Sequence, residues 1–280
     1  IIMQLRIRAC HVQGRFIAKD NKKPPVNTRD RQKNPAPFEY AKLAHPPVTF
    51  VQEKLKVDKR LPAARKFIVD KNLNEFFDGD VDRLGIILPG GLYNTLIRRL
   101  TRLGLADDFG NSRIPLMVLN VVHPLVPDQV ADFCGGKDAV LIVEEGNPEY
   151  LEHHINTILR KADIQTRVHG KDVFPMAGEY NATVIHEGLM GFIEAEGLGI
   201  GHPETIRAEA DRVKDVTAGA QTAFPAPLPP RPPQFCTGCP ERPVFSALKL
   251  IQEKIGKVHI AADIGCHAFA TFEPFSMGNS

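Results

Sequence analysis

Between Arg83 and Gly170 the sequence alternates short, wholly apolar runs with stretches whose apolar residues recur at helical spacing. Few folds accommodate that pattern. "LGIIL" (Leu84 to Leu88) is closed by Pro89-Gly90-Gly91, and Leu92, Leu96, Leu100 and Leu103 follow at intervals of three or four. A short apolar run bounded by turn residues reads as a strand buried on both faces, and the leucine spacing as the helix after it. "IPLMVLNVV" and "AVLIVEE" repeat the strand; "PDQVADFCGG" and "PEYLEHHINTILRKA" repeat the helix. Strands apolar on both faces need cover on both sides, which the crossover helices of a parallel sheet supply. The expected fold class is α/β, with parallel sheets flanked by helices and ligand-bearing loops at the strand carboxyl ends.

The flanks read differently. "MQLRIRACHVQG" alternates Leu5, Ile7 and Ala9 with basic residues, the pattern of a half-buried strand, and residues 1–14 are read as the tail of a preceding domain. Residues 15–79, with "KKPP", "NPAP" and "HPP", form a basic linker that includes a helix from Val51 to Asp70 and ends in "NEFFDGD". Residues 80–222 make the α/β domain with a helical extension, in which 183–217 reads as two helices broken at "GHPET", the second starting at Pro203. In "FPAPLPPRPPQF", six of the ten residues 224–233 are proline, so 223–234 is a stiff strap between domains. Residues 235–280 begin another domain.

Composition excludes several classes. Net charge is +2, but residues 1–66 hold 16 of the 35 Lys and Arg against 5 of the 33 Asp and Glu. These cations are scattered among prolines and apolar residues rather than aligned on one stripe, so no nucleic-acid partner is expected. The apolar stretch Ile114 to Val126 is broken by Pro115, Asn120, His123 and Pro124 and falls short of the ~20 residues of a bilayer span, so no membrane is expected. "IIMQLRIRAC" has no signal-peptide core, and five cysteines are too few and too uneven for a disulfide scaffold, which makes the cytoplasm the expected compartment. Pro89-Gly90-Gly91 reads as a turn, since no phosphate-binding glycine motif surrounds it. Glu144 and Glu145 are neighbours, point to opposite faces and read as a solvated strand end; His153 and His154, about 100° apart on a helix, read as surface residues.

The chemistry is expected at the cysteines. Cys236 and Cys239 stand two residues apart in "QFCTGCPERPVF", with Gly238 between them allowing a tight turn. "PVFSALKLIQEKIG" then reads as an amphipathic helix and "KVHIAADIG" as a strand leading to Cys266. A loop, helix, strand and loop return the chain to the same edge, so three thiolates can converge. Soft sulfur suits zinc or an iron–sulfur cluster. A thioredoxin-like redox pair and unligated buried thiols stay open beside these, and Cys10 and Cys134 read as packing residues.

The combined motifs resemble the thiamine-diphosphate-dependent 2-oxoacid:ferredoxin oxidoreductases, specifically the indolepyruvate (arylpyruvate) ferredoxin oxidoreductases. "LPPRPPQFCTGCPERPVFSALK" is similar to the family's proline strap and CxGCPHR loop, and "DIGC" followed by "SMGNS" to its strand-loop and Met-Gly-x-Ser turn. "GIILPGGLYN", "VVHPLVPDQV", "LIVEEGNPEYLE" and "GKDVFPMAGEYN" are similar to its middle domain. The resemblance implies a middle segment of the thiamine-binding subunit: the end of a pyrimidine-binding domain, a transketolase-C-terminal-like domain, and the first part of the diphosphate-binding domain. It implies oxidative decarboxylation of an aryl 2-oxo acid such as indolepyruvate to the acyl-CoA, with thiamine diphosphate, Mg2+ and a [4Fe–4S] cluster as cofactors. Coenzyme A, ferredoxin and the remaining parts or subunits of an oligomeric enzyme would be its partners. Cys236, Cys239 and Cys266 match three cluster ligands, and Met277, Gly278 and Asn279 match residues lining the cofactor. Glu241 stands where the family pattern has histidine, so any role of that histidine is lost here. A zinc-binding α/β interaction module and a non-catalytic fragment of such an enzyme are the alternatives.

Overall fold

The computed structural model describes residues 39–197, 203–224, 234–260 and 265–277. The strand read at 1–14, the first part of the linker, most of the proline strap, residues 261–264 of the strand leading to Cys266, and Gly278 and Asn279 lie outside these residues. The chain divides into two compact units between Lys214 and Asp215.

The first unit is built on a five-stranded sheet, β1 (Glu75–Phe77), β2 (Leu84–Pro89), β3 (Leu116–Leu119), β4 (Ala139–Ile142) and β5 (Arg167–His169), in the order β1-β3-β2-β4-β5. Four strands are parallel, with Ile86 opposite Leu116 on one side and Leu141 on the other, and Val140 opposite Val168. The fifth corrects the sequence reading. "NEFFDGD", taken as the end of a linker, supplies β1, which runs antiparallel to β3 with Phe76 opposite Met117. Its exposed Glu75 and Phe76 gave no apolar run to find. The sheet is therefore mixed and mostly parallel.

Pleating sends alternate side chains to opposite faces. Ile86, Leu88, Leu116, Val118 and Leu141 lie in one core, under α3 (Tyr93–Arg102) and α6 (Ala182–Ala195). Ile87, Met117, Leu119, Val140 and Ile142 lie in the other, under α4 (Pro127–Cys134) and α5 (Tyr150–Lys161). Each fully buried aliphatic side chain here contributes about 1.5–3 kcal/mol. Ahead of the sheet, α1 (Val48–Leu55), a π turn (Lys56–Arg60) and α2 (Leu61–Asp70) run without a break, so the expected helix begins three residues early. α2 is fixed to the domain by Ile68, buried, and by Arg65, whose Nε donates to Leu125 O at 2.9 Å. Asn181 starts α6 by accepting from Thr183 N and Val184 N, and α7 (Pro203–Ala223) begins at the proline the sequence indicates.

Glu196 follows α6 and anchors β5. Arg167 donates to both of its oxygens, and the His169 ring lies between Asp172 (2.6 Å from Nδ1) and Glu196 (2.9 Å from Nε2). The Arg167 guanidinium, with His169 adding to it, holds the Glu196 carboxyl below its ordinary value. A depressed folded-state pKa gives stability that is present above the unfolded value and lost as pH falls through the folded one. We expect Glu196→Gln to be less stable than the parent chain at neutral pH. The parent should then lose more of its stability than the variant as pH falls below about 4.5, the unfolded value of a glutamate, followed by urea denaturation across that range; parallel pH profiles for the two proteins would contradict it.

Candidate functional site

The second unit holds the cysteine turn. Cys239 N donates to Cys236 O at 3.1 Å, closing a four-residue turn in which Gly238 has φ +71°, a conformation that glycine adopts without strain. Arg242 fixes the turn from behind, its Nη2 donating to Phe235 O at 2.7 Å. α8 (Arg242–Ile255) starts at once, with proline in its first turn. Both thiols are free; Cys236 is exposed and Cys239 half-buried.

Phe235, Phe245, Ala270 and Met277 form the buried core of this unit, and Cys239 packs against it. The core ties the cysteine turn to the turn Cys266–Thr271. Phe235 meets Phe269 edge to face at 5.8 Å, the His267 ring stands 5.6 Å from that of Phe245, and His267 Nε2 lies 4.0 Å from Glu241 Oε2. Met277 N donates to Ala270 O at 2.8 Å, folding the chain back beneath the same aromatics. The two segments that carry Cys236, Cys239 and Cys266 are thus neighbours through the residues beside the cysteines. Cys266 opens its turn, and its side chain is outside the described residues. Among the described residues no three His, Cys, Asp or Glu side chains meet as a metal site; the Cys266 thiol is not among those compared. Two free thiols on a glycine turn, one reaching solvent, fit a metal or cluster that takes soft sulfur donors. Met277 is almost wholly buried among the aromatics.

At the sheet, the topology reverses between β2 and β4, the position where open α/β sheets take ligands. The polar groups of this edge are engaged with one another. Glu144 is 9% exposed and accepts from Leu151 N through both oxygens and from Glu152 N, capping α5. This corrects the reading of a solvated strand end: a strand that buries both faces delivers its last carboxylate to the next helix N-terminus, where amide donors await it. Glu145 does turn the other way and accepts from Tyr180 N at 2.7 Å. Lys171 Nζ donates to Glu144 O at 2.6 Å and to Tyr180 Oη at 2.8 Å, and the Tyr180 hydroxyl donates to Pro175 O. Burial pushes that hydroxyl up to about 12, with the charges of Glu144, Glu145 and Glu152 adding to it. Burial also lowers the Lys171 ammonium from its ordinary value, against the pull of the same carboxylates. Sequence reasoning did not find this cluster, because its members are scattered over 37 positions from Glu144 to Tyr180 with no common spacing. His153 and His154 are exposed on α5, as expected, and Cys134 is a buried packing residue whose thiol burial pushes up to about 12.

Across the described residues no helix is long and apolar enough to cross a membrane. The first unit is an open α/β domain with helices on both faces of a mostly parallel sheet. Residues 73–179 match the family model described as the indolepyruvate ferredoxin oxidoreductase middle domain. Over nearly its whole length the chain is similar to proteins named indolepyruvate oxidoreductase subunit IorA. It is 26% identical to that of Methanothermobacter thermautotrophicus over 283 residues, covering 99% of this chain and 40% of the relative. It is 25% identical to that of Thermococcus kodakarensis over 281 residues, covering 98% and 39%, and 27% identical to that of Archaeoglobus fulgidus over 216 residues, covering 77% and 31%. The chain therefore spans about 40% of the length of the relatives it matches most fully. The resemblance first read from the motifs and these comparisons agree on the family.

Proposed function

We propose that the chain is part of the thiamine-diphosphate-dependent subunit of an oxidoreductase that converts an aryl 2-oxo acid, such as indolepyruvate, to its acyl-CoA and passes the electrons through a [4Fe–4S] cluster to ferredoxin. The observation that carries this reading is the mutual packing of the Cys236–Cys239 turn and the Cys266–Thr271 turn, within a chain that aligns in order with subunit IorA.

Thiamine diphosphate, bound with Mg2+, supplies the electron sink for loss of carbon dioxide, and a cluster the one-electron acceptor. The chain's own part is to hold and position. Cys236, Cys239 and Cys266 are the metal ligands, the first two on a backbone that Gly238 lets turn and that Arg242 holds in place. Met277, Gly278 and Asn279 line the cofactor. Residues 80–222, the transketolase-C-terminal-like domain, come in the chain after the segment 1–14 of a pyrimidine-binding domain and before the diphosphate-binding domain that 235–280 begins. The rest of the enzyme, as further domains or subunits of an oligomer, completes the site. Iron and acid-labile sulfide analysis of the complete enzyme tests the reading. Both present in proportion to the chain supports it; zinc alone, or neither iron nor sulfide after anaerobic preparation, overturns it.

A further inference from the structure

A second place in the first unit gathers charge that the proposed reaction does not use. The last turns of α3 and the first half of α7 flank a cleft of about 870 Å3, within the ~300–1,000 Å3 range of small-ligand sites. Four arginines line it: Arg98, Arg99 and Arg102 from α3 and Arg212 from α7. Two share one carboxylate. Glu209, 5% exposed, accepts from Arg212 Nε at 2.6 Å and Nη2 at 2.7 Å, and from Arg99 Nη1 at 3.3 Å. The Arg99 Nε is buried and has no hydrogen-bond partner. Arg98 and Arg102 are exposed and no salt bridge within 4 Å holds either among the described residues, although the charge of Arg102 also acts on Glu209. They sit four apart on one helix face, where like charges roughly 5–6 Å apart at Cβ repel one another unless something bridges them. The cleft's other acids, Asp107 and Asp108, do not fill that role. Asp107 accepts from Phe109 N, Asn111 N and Asn111 Nδ2, closing its own loop, and Asp108 is exposed.

We infer that this cleft binds a phosphate-bearing anion, with Arg98 and Arg102 as the two cations that grip it and Glu209 holding Arg99 and Arg212 in position behind them. Planar guanidinium groups meet phosphate oxygens with paired, charge-assisted hydrogen bonds, which a multiply charged phosphate accepts from several sides. Nothing in the cysteine unit is required for it, so it stands independently of the proposed reaction.

The test is titration calorimetry of the full 280-residue chain with inorganic pyrophosphate at low ionic strength. Saturable binding is expected, weakened at least about tenfold in the Arg98→Ala/Arg102→Ala double variant and weakened in all proteins as salt is raised. Both residues are exposed, so the double variant should keep the parent melting temperature without ligand while losing the upward shift that pyrophosphate gives the parent. Arg83→Ala, which removes an arginine paired with Asp138, should bind like the parent. Tighter binding of adenosine diphosphate than of pyrophosphate, lost in the double variant, would identify the source as a nucleotide; equal binding, likewise lost, would identify the diphosphate group alone. Absence of saturable binding, or equal binding by parent and double variant, overturns the inference.

Discussion

If the proposed function holds, Cys239→Ser in the complete enzyme is expected to abolish the proposed iron–sulfur centre: a colourless protein with little iron or sulfide, and no reduction of the proposed ferredoxin acceptor. A thiolate is the ligand chemistry such a centre requires, and serine offers a harder, protonated oxygen in its place. Loss of a partner merely behind a ligand costs roughly 10–100-fold in metal affinity, and loss of the ligand itself should exceed that. The substitution is nearly isosteric, and Cys239 is only half-buried at the rim of the Phe235, Phe245 and Met277 core. Folding should therefore survive, with circular dichroism matching the parent. Cys236→Ser and Cys266→Ser should behave alike. Undiminished iron and sulfide in all three variants would remove the cysteines from the proposed centre. Retention in Cys266→Ser alone would leave the turn as a pair and break the link between the two segments.

Gly188→Val is expected to cost about 3 kcal/mol of unfolding free energy. α6 lies so close to the segment after β5 that a Cβ at position 188 would sit 2.0 Å from Phe174 Cε1. Phe174 cannot swing aside freely: it is 4% exposed, and its ring is stacked on Tyr180 with centroids 5.0 Å apart. Overfilling a packed core costs roughly 1–3 kcal/mol, and sometimes more where a rigid ring must move. Alanine should be milder, since it relieves the helix of glycine's conformational cost, about 1 kcal/mol. Adding Phe174→Leu should restore part of the loss by vacating the ring edge. Urea unfolding of the four proteins measures the coupling. A valine variant within experimental error of the parent, or no rescue by leucine, would refute the packing argument.

How much of this was readable in advance follows from which forces write themselves into sequence. β2, β3 and β4 are buried on both faces, so each had to be an unbroken apolar run, and each was found. β1 and β5 are edge strands three residues long with exposed or half-buried side chains; edge pairing uses backbone groups, which leave no residue signature. The cysteine turn was legible because two cysteines two residues apart enclose a glycine that lets the backbone turn tightly. The approach of the Cys266 turn to it was arguable only from chain return, whereas the contacts that join the two, Phe235 with Phe269 and Glu241 with His267, are long-range and carry no periodicity. The same holds for Glu144, Lys171 and Tyr180. Adjacent glutamates after a strand are usually solvated, and only the position of α5 turns Glu144 into a cap.

The antiparallel strand at Glu75–Phe77 also bears on how this protein can be handled. It covers the outer rim of β3, whose four residues are all buried, and an apolar strand stripped of its neighbour offers unpaired amides and carbonyls to any other chain. A recombinant product that begins at the apparent start of the α/β pattern, near Arg83, would lack this guard rail and precipitate or self-associate. One that begins ahead of Leu73 would keep it and remain monodisperse.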